Sequence, residues 1–370
     1  MTRSRPGFAL PSAIIALVLL SALIAGALFV ATEELRAGRG DVADQRALSV
    51  AEWALERAIA NWDARHNSRI GVGQSVVIAQ GDAVSREPFD VTATRVQRNA
   101  FWVTARGSSG VDGGRTPARH TIAASVRLVG PTFPLRAALS VGAAVTIDNG
   151  VVDGRDPRTS TDLACRDDTP ADLAGIVTPD TAAVCGVSCT GAIPSGVFGA
   201  PPVASGSSLT SDSTVSGMAA AVASFSLAAG SYAPRPALAG GDCDRNDPLN
   251  WGEPGGSSLC ADYFPVIHVA GDLVMNAGAM GQGLLVADGS VRLEAGARFV
   301  GVVIAKNDIA VVGPGAMIDG IAFAGDVDRA DGTRVADGGA ITFNRCAVRR
   351  AELAAARLVR TRERWWLELR

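Results

Sequence analysis

The spacing of hydrophobic residues changes character along the chain. Residues 8–31 form one apolar run without a charged side chain, and Ser12 and Ser21 are its only polar side chains. Between residues 32 and 66, apolar residues recur at every third or fourth position, which predicts an amphipathic helix. Hydrophobic and polar residues then alternate from residue 70 to residue 129, and this period of two predicts β-strands. The pattern therefore predicts a membrane-length helix that continues into a helix-on-sheet unit.

The apolar run is long enough to cross a membrane, because about 20 apolar residues in a helix span a hydrocarbon layer of ~30 Å. Arg3 and Arg5 precede the run and Glu33 and Glu34 follow it, so we expect the basic end in the cytoplasm. This predicts a single-pass protein of the inner membrane, with its bulk in the periplasm or on a cell-surface filament. A cleaved secretory signal peptide and an uncleaved signal anchor are alternative interpretations of the same run.

Residues 5–11, Arg-Pro-Gly-Phe-Ala-Leu-Pro, resemble the leader junction of type IV prepilins. The resemblance implies a leader peptide at residues 1–7, cleavage by a prepilin peptidase between Gly7 and Phe8, and methylation of the new amine of Phe8. That family usually carries glutamate at the fifth mature position, which is Ser12 here. This departure narrows the resemblance to minor pilins of the PilX-like group and to the large pseudopilin of type II secretion, which tolerate or lack the glutamate.

Residues 32–130 are predicted to form a pilin-like head, in which the amphipathic helix packs on an antiparallel sheet. Residues 48–56 also resemble a stretch of PilX-like proteins. Gly38 and Gly40 interrupt the helical pattern and are expected to bend or locally melt the helix, since glycine costs about 1 kcal/mol relative to alanine. Strands joined by short polar turns are predicted at residues 72–79, 89–96, 101–106 and 120–129.

The second half of the chain contains a degenerate repeat of short apolar strands and glycine-rich corners. Its equivalent alanines are Ala270, Ala287, Ala305 and Ala324, at spacings of 17, 18 and 19 residues. Coils of this length, with corners that need positive φ, are typical of a parallel β-helix, in which stacking buries the apolar rows. A β-sandwich with regularly spaced strands is the alternative. The repeat predicts a β-solenoid over residues 135–346.

Two segments depart from the repeat. Residues 150–265 are rich in Gly, Ser, Thr, Pro, Asp and Ala and are predicted to be a long loop insertion, with one helical candidate at residues 216–227. Residues 347–370 are basic and are predicted to form a C-terminal helical tail that covers the end of the solenoid. The predicted fold class is therefore an α+β pilin-like N-terminal part followed by a mainly β, β-helix-like solenoid.

Composition narrows the classes of function. A net charge of -3 over 370 residues gives no support to a nucleic-acid partner. The 42 glycines and the low aromatic content of 5% favour short strands and turns over a helical enzyme. His66, His120 and His268 stand alone, without a nucleophile motif or metal-ligand spacing around them. We therefore predict no catalytic residue and no cofactor.

Six cysteines predict disulfides, because the membrane helix would place the rest of the chain in an oxidising compartment. Cys165 is predicted to pair with Cys185 or Cys189, which leaves Cys346 to the remaining thiol. Zinc is the less favoured alternative, since paired short cysteine and histidine spacings are missing from the sequence.

Cys243 and Cys260 bracket one loop, and this is the disulfide that the sequence favours most. A weak calcium-loop pattern of oxygen side chains lies in and beside this loop. The position that such a loop reserves for glycine is Asp247, so a solvated acidic turn is the favoured interpretation. The residues of the pattern are Asp242, Asp244, Asn246 and Glu253.

These observations lead to one functional prediction and two alternatives. The chain is predicted to be a non-enzymatic minor pilin-like subunit that acts in filament assembly, priming or adhesion. Its expected partners are other pilin-like subunits, prepilin peptidase and the inner membrane. The first alternative is a membrane-anchored extracytoplasmic β-helix adhesin or carbohydrate-binding protein with an unknown surface or polysaccharide ligand. The second is an exported polysaccharide-acting enzyme, which would need carboxylates clustered along one solenoid face.

Overall fold

A computed structural model describes most of the chain: residues 9–63, 70–109, 118–157, 165, 171–186, 192–206, 223–256, 259–325, 332–361 and 367–368. The predicted cleavage junction at Gly7 and Phe8 lies outside these residues. The chain divides into two compact units. One comprises Met1–Asn61, Ser75–Val126 and Arg360–Arg370, and the other comprises Trp62–Gln74 and Arg127–Val359.

The first unit begins with one continuous helix, α1, at Ala9–Ala60. No proline follows Pro11 within it, so no interior position loses its backbone donor. The expected melting at Gly38 and Gly40 does not occur, because the helix runs through both glycines. A Cβ at either position would meet no atom within 4 Å, so neither glycine is required by packing. Unbroken intrahelical hydrogen bonding outweighs the modest cost of two glycines.

An antiparallel sheet follows α1, and each of its first four strands lies beside the next one in sequence. The structure has a strand at each of the four predicted places. They are β1 at Ser75–Asp82, β2 at Pro88–Gln97, β3 at Ala100–Ser109 and β4 at Ala118–Val129.

Helix α1 packs on the buried face of this sheet through its C-terminal part. Ala47, Ala51 and Leu55 are fully buried there, as is Val103 on the facing strand β3. A Cβ at Gly107 would overlap the backbone of α1 at Ala47 and Ala51. The helix and β3 therefore approach so closely that only glycine fits at this crossing.

The C-terminal segment is not one helical tail. Helix α2 spans Arg345–Ala354, with Asn344 accepting a 3.0 Å hydrogen bond from the Ala347 amide. Strand β23 then spans Arg357–Arg360, and β24, at Leu367–Glu368, pairs antiparallel with β4. The helical prediction is wrong at residues 357–360 and 367–368, because the open edge of β4 offers backbone groups that an extended segment satisfies.

The second unit is built on a curled sheet of 16 strands whose described pairings are parallel. In its central strands Leu284 pairs with both Val266 and Val302, one repeat to either side. Ala287, Ala305 and Ala324 stand in one row as the repeat predicts, but Val269 rather than Ala270 takes the fourth place. The sheet contains β5 Ala137–Val141, β6 Val145–Asp148, β7 Val151–Asp153, β8 Ala174–Thr178, β9 Val184–Cys185, β10 Val197–Phe198, β11 Val203–Ser205, β12 Phe225–Tyr232, β15 Val266–Met275, β16 Met280–Ala287, β17 Val291–Leu293, β18 Arg298–Ala305, β19 Ile309–Val312, β20 Met317–Ala324, β21 Thr333–Ala336 and β22 Ala340–Thr342.

The order of strands across this sheet differs from their order in sequence. Strand β20 pairs with β5, β21 pairs with β6, and β22 pairs with β7. At the other end, β12 pairs with β15. The path through the longest stack is therefore β12, β15, β16, β18, β20, β5, β8 and β11. The chain therefore enters the parallel sheet at an interior strand, β5, crosses to the end at β12, and returns so that β20 pairs with β5.

This path corrects the predicted loop insertion at residues 150–265 where described strands of that segment join the sheet. Six strands of that segment, β7 to β12, join the parallel sheet, and β13 at Leu238–Ala239 pairs with β14 at Asp242–Cys243. The helical prediction at residues 216–227 is also wrong in part, because Phe225, Ser226 and Leu227 belong to β12, whereas residues 216–222 lie outside the described residues. Most of these strands have two to five residues, too few to show a period of two.

Candidate functional site

The N-terminal part of α1 is an exposed apolar surface. Leu17 is 67% exposed and Leu23 is 72% exposed, although both are strongly hydrophobic. The helix is long and apolar enough for a single membrane span or signal anchor, with a mean hydropathy of 2.9 over its most apolar window. At 1.5 Å per residue, residues 9–32 extend about 36 Å, which exceeds the thickness of the hydrocarbon layer.

The few polar groups on this surface are compatible with lipid. The Ser21 hydroxyl donates to the Leu17 carbonyl at 2.7 Å, and the Thr32 hydroxyl donates to the Phe29 carbonyl at 2.7 Å. Such bonds remove the cost of an unpaired hydroxyl in hydrocarbon. Ser12 lies on the helix and is exposed. The resemblance predicts it as the fifth mature position, and there the helix presents a hydroxyl rather than a carboxylate.

Helix α1 changes from exposed to partly buried at Ala43. From this residue to Ala58 one stripe is buried against the antiparallel sheet, and the Trp53 ring meets Phe89 edge-on at 5.4 Å between centroids. The Arg57 guanidinium lies 5.0 Å from the centroid of the Trp53 ring. The helix is therefore anchored to a folded sheet at its C-terminal part and uncovered at its N-terminal part.

The structure places the calcium-loop residues on a turn that is held by its own backbone. Carboxylate oxygens of Asp242, Asp244 and Asp247 accept hydrogen bonds from the amides of Cys243, Asn246 and Leu249, respectively. These bonds are typical of capped polar turns. Across the described residues, no group of three or more His, Cys, Asp or Glu side chains is placed to hold a metal ion. The structure therefore does not assemble a metal-ligand set from the residues of the pattern, which are Asp242, Asp244, Asn246 and Glu253.

Buried amides tie the neighbouring loop to the parallel sheet. The side-chain amide of Asn250 donates to the Ala237 carbonyl at 3.1 Å, and that of Gln282 donates to the Tyr263 carbonyl at 2.9 Å. Burial raises the pKa of the Tyr263 phenol to about 12. Trp251 is fully buried within the same core. This loop is a packed structural element rather than a solvated one.

The disulfides agree with the sequence in one place and differ in another. Cys243 and Cys260 form the predicted bond. The predicted bond between Cys165 and Cys185 is wrong, because Cys165 pairs with Cys346 at a Cα–Cα distance of 5.4 Å. Cys185 is also disulfide-bonded. The pairing of β7 with β22 explains the difference, since it brings the segment after β7 beside the start of α2.

The histidines are less isolated than the sequence suggests. His120 lies 3.9 Å from an Asp44 carboxylate oxygen, whereas His66 lies outside the described residues. His268 contacts Ser226 through Nδ1 at 3.4 Å and Asp288 through Nε2 at 2.9 Å. The sequence does not predict this cluster at the outset, although the repeat length of 18 places residue 286 beside residue 268 and Asp288 two residues further on.

Comparison with other proteins identifies no relative. No family model matches the chain, and neither curated proteins nor solved structures yield a match.

Proposed function

We propose that this protein is a minor pilin-like subunit of a type IV pilus or a related secretion filament. The observation that carries the proposal is the division of the single helix α1 into an exposed apolar part and a part buried on a sheet. Packing on the sheet would hold the helix rigidly, and its exposed part would be covered by lipid before assembly. After extraction, the same surface would pack against the helices of neighbouring subunits.

Prepilin peptidase would release residues 1–7 and leave a methylated amine on Phe8. Ser12 would then stand where most family members carry the glutamate that pairs with the N-terminal amine of a neighbour. A subunit without that carboxylate suits the filament tip or the priming complex, where no subunit above it has an N-terminal amine that needs a carboxylate partner. In this proposal the curled parallel sheet is a β-solenoid that the filament carries as an extracytoplasmic domain.

The test is the N-terminus of the mature protein. We expect full-length protein, produced with a prepilin peptidase, to begin at methylated Phe8 by intact mass and N-terminal sequencing. Gly7→Val should block this processing, whereas the matched control Gly26→Ala should not, because a Cβ at Gly26 meets no atom within 4 Å. An intact Met1, or a cut near residue 31 that removes the helix, would refute the proposal.

A second candidate function is that of a membrane-anchored adhesin or carbohydrate-binding protein. Strand register aligns Asp319, Thr342 and Asp153 in one row on strands β20, β22 and β7. The hydrogen bond from Arg155 holds the pKa of the Asp153 carboxyl below its usual range, so this carboxylate stays charged at neutral pH. Asp153 and Asp319 already accept hydrogen bonds from Arg155 and Arg298, and their remaining lone pairs, together with the Thr342 hydroxyl, can accept from sugar hydroxyls.

Sedimentation of the full chain with insoluble polysaccharides tests this second candidate. Binding that falls at least tenfold in Thr342→Val, and that persists in an exposed control such as Ser231→Ala, would support a ligand site on this row. Equal binding by both variants would remove the row as a site.

A further inference from the structure

Ser226, His268 and Asp288, on or next to neighbouring strands of the parallel sheet, form a hydrogen-bonded line. Ser226 lies on β12 and pairs in register with His268 on β15, while Asp288 directly follows β16, the next strand. The Ser226 hydroxyl lies 3.4 Å from Nδ1 of His268, and a carboxylate oxygen of Asp288 lies 2.9 Å from Nε2. The line runs across the strands, so parallel pairing itself sets its spacing.

This arrangement has the order of groups that activates a hydroxyl nucleophile. A carboxylate beside Nε2 favours the imidazole tautomer with its proton on that nitrogen, because the carboxylate can only accept. The lone pair of Nδ1 is then directed at the Ser226 hydroxyl. Nucleophile, base and orienting group are recognised by such geometry rather than by their positions in the sequence, and the nucleophile–base contact is often looser before substrate binds.

The line is accessible from solvent. Ile267 and Val269, the neighbours of His268 along β15, are fully buried, so alternation directs His268 to the opposite, outer face of the sheet. Ser226 is exposed, the His268 side chain is 15% exposed and the Asp288 side chain is 42% exposed. An outer sheet face admits an acyl group carried on a large molecule, which a closed pocket would exclude.

We propose that Ser226 and His268 form a hydrolytic site for carboxylic esters with short acyl groups, with Asp288 as the positioning residue. The Ser226 oxygen forms a bond to the acyl carbon while its proton passes to Nδ1. The ester C–O bond breaks, and the leaving alcoholate takes that proton. Water then attacks the acyl-serine in the same way, which releases the carboxylic acid and restores Ser226. No further reactant is needed.

The probes are a fluorophosphonate, which forms a stable adduct with activated serines, and 4-nitrophenyl acetate. Both are applied to the full chain in detergent. We expect adduct on the peptide that contains Ser226, and ester hydrolysis that falls at least 100-fold in Ser226→Ala and in His268→Gln. Ser231→Ala is the matched control, because Ser231 is exposed on the same strand. It should leave labelling and hydrolysis unchanged.

The positioning role of Asp288 must be tested with a measurement that a purely structural role would leave unchanged. Asp288→Asn should slow adduct formation without changing the thermal midpoint by more than the control does, and Asp288→Glu should restore part of the rate. Absence of adduct in the native chain would overturn the proposal. Adduct formation that persists in His268→Gln would also overturn it, since Ser226 would then react without its base. Neither result bears on whether residues 1–7 are removed.

Discussion

The two sheets of this protein differ in the distance along the chain between neighbouring strands. In the antiparallel sheet, β1 to β4 follow one another in sequence order, and short turns set the register of β1 on β2 and of β2 on β3. In the parallel sheet, Phe323 of β20 pairs with Ser140 of β5, a partner from the opposite end of the unit. Contacts between strands that are adjacent in sequence form the antiparallel sheet. The parallel sheet is completed by contacts between segments from opposite ends of its unit. Substitutions that remove long-range contacts should therefore affect the parallel sheet most.

The largest effect is expected at Gly301, in a column of glycines on β16, β18 and β20. Its φ is +135°, and a Cβ would overlap the backbone of Gly283 on the neighbouring strand β16. Backbone strain of 1–3 kcal/mol and overpacking of 1–3 kcal/mol together predict that Gly301→Ala loses about 2–6 kcal/mol of unfolding free energy.

Gly278→Ala is the control for Gly301→Ala. Its φ is +71°, but a Cβ there would meet no atom within 4 Å. It should lose only about 1 kcal/mol, because it carries the cost of a left-handed conformation without a clash. Denaturant unfolding of both variants checks the difference. Equal losses would show that stacking of the glycine column does not limit stability.

The next effect is expected at the disulfide between Cys165 and Cys346. It spans 181 residues, whereas the bond between Cys243 and Cys260 spans 17. The double variant Cys165→Ser/Cys346→Ser should lose about 2 kcal/mol more unfolding free energy than Cys243→Ser/Cys260→Ser, since loop-closure entropy grows with the logarithm of loop length. Chemical denaturation of the two variants, each with its other disulfides intact, measures this. A larger loss from the short loop would contradict the chain-entropy argument.

A smaller effect is expected where α1 crosses the antiparallel sheet. Gly107→Ala places a Cβ against the helix backbone at Ala47, and overpacking of this kind costs about 1–3 kcal/mol. The helix end can move away from the strand more easily than one strand of a stacked column can, so the loss should be below that of Gly301→Ala. Hydrogen exchange should show lower protection in α1 near Ala51 and unchanged protection in β18. Loss of protection in β18 would show that the two sheets unfold together.

The smallest effect appears only in alkali. Tyr263 has its pKa raised to about 12 by burial, whereas a phenol in the unfolded chain ionises near pH 10. Its contribution to stability is complete below pH 10 and is lost as the pH rises towards 12, because only the unfolded state releases the proton in that window. The chain has 2 tyrosines, so Tyr232→Phe isolates this phenol for absorbance titration. Titration near pH 10 in the folded protein would contradict its burial.

The antiparallel sheet could be predicted from sequence because each strand is long enough to alternate and its partner follows directly. The sequence also predicts the central repeat, although it assigns Ala270 to the position in the row that Val269 occupies. The short strands β7 to β11 could not be predicted, because two to five residues are too few to show a period of two, and because the register of β7 on β22 joins segments far apart in the sequence. The Cys165–Cys346 bond and the Ser226–His268 contact depend on the same long-range register, so both were missed.

The pairing of β20 with the much earlier strand β5 has a consequence during synthesis. Strand β5 has one edge that stays unsatisfied until β20 emerges, about 180 residues later. At 5–20 residues per second, that wait is about 10–40 s. Throughout this interval an open strand edge is available for wrong partners, so a chaperone that shields this edge would favour correct pairing.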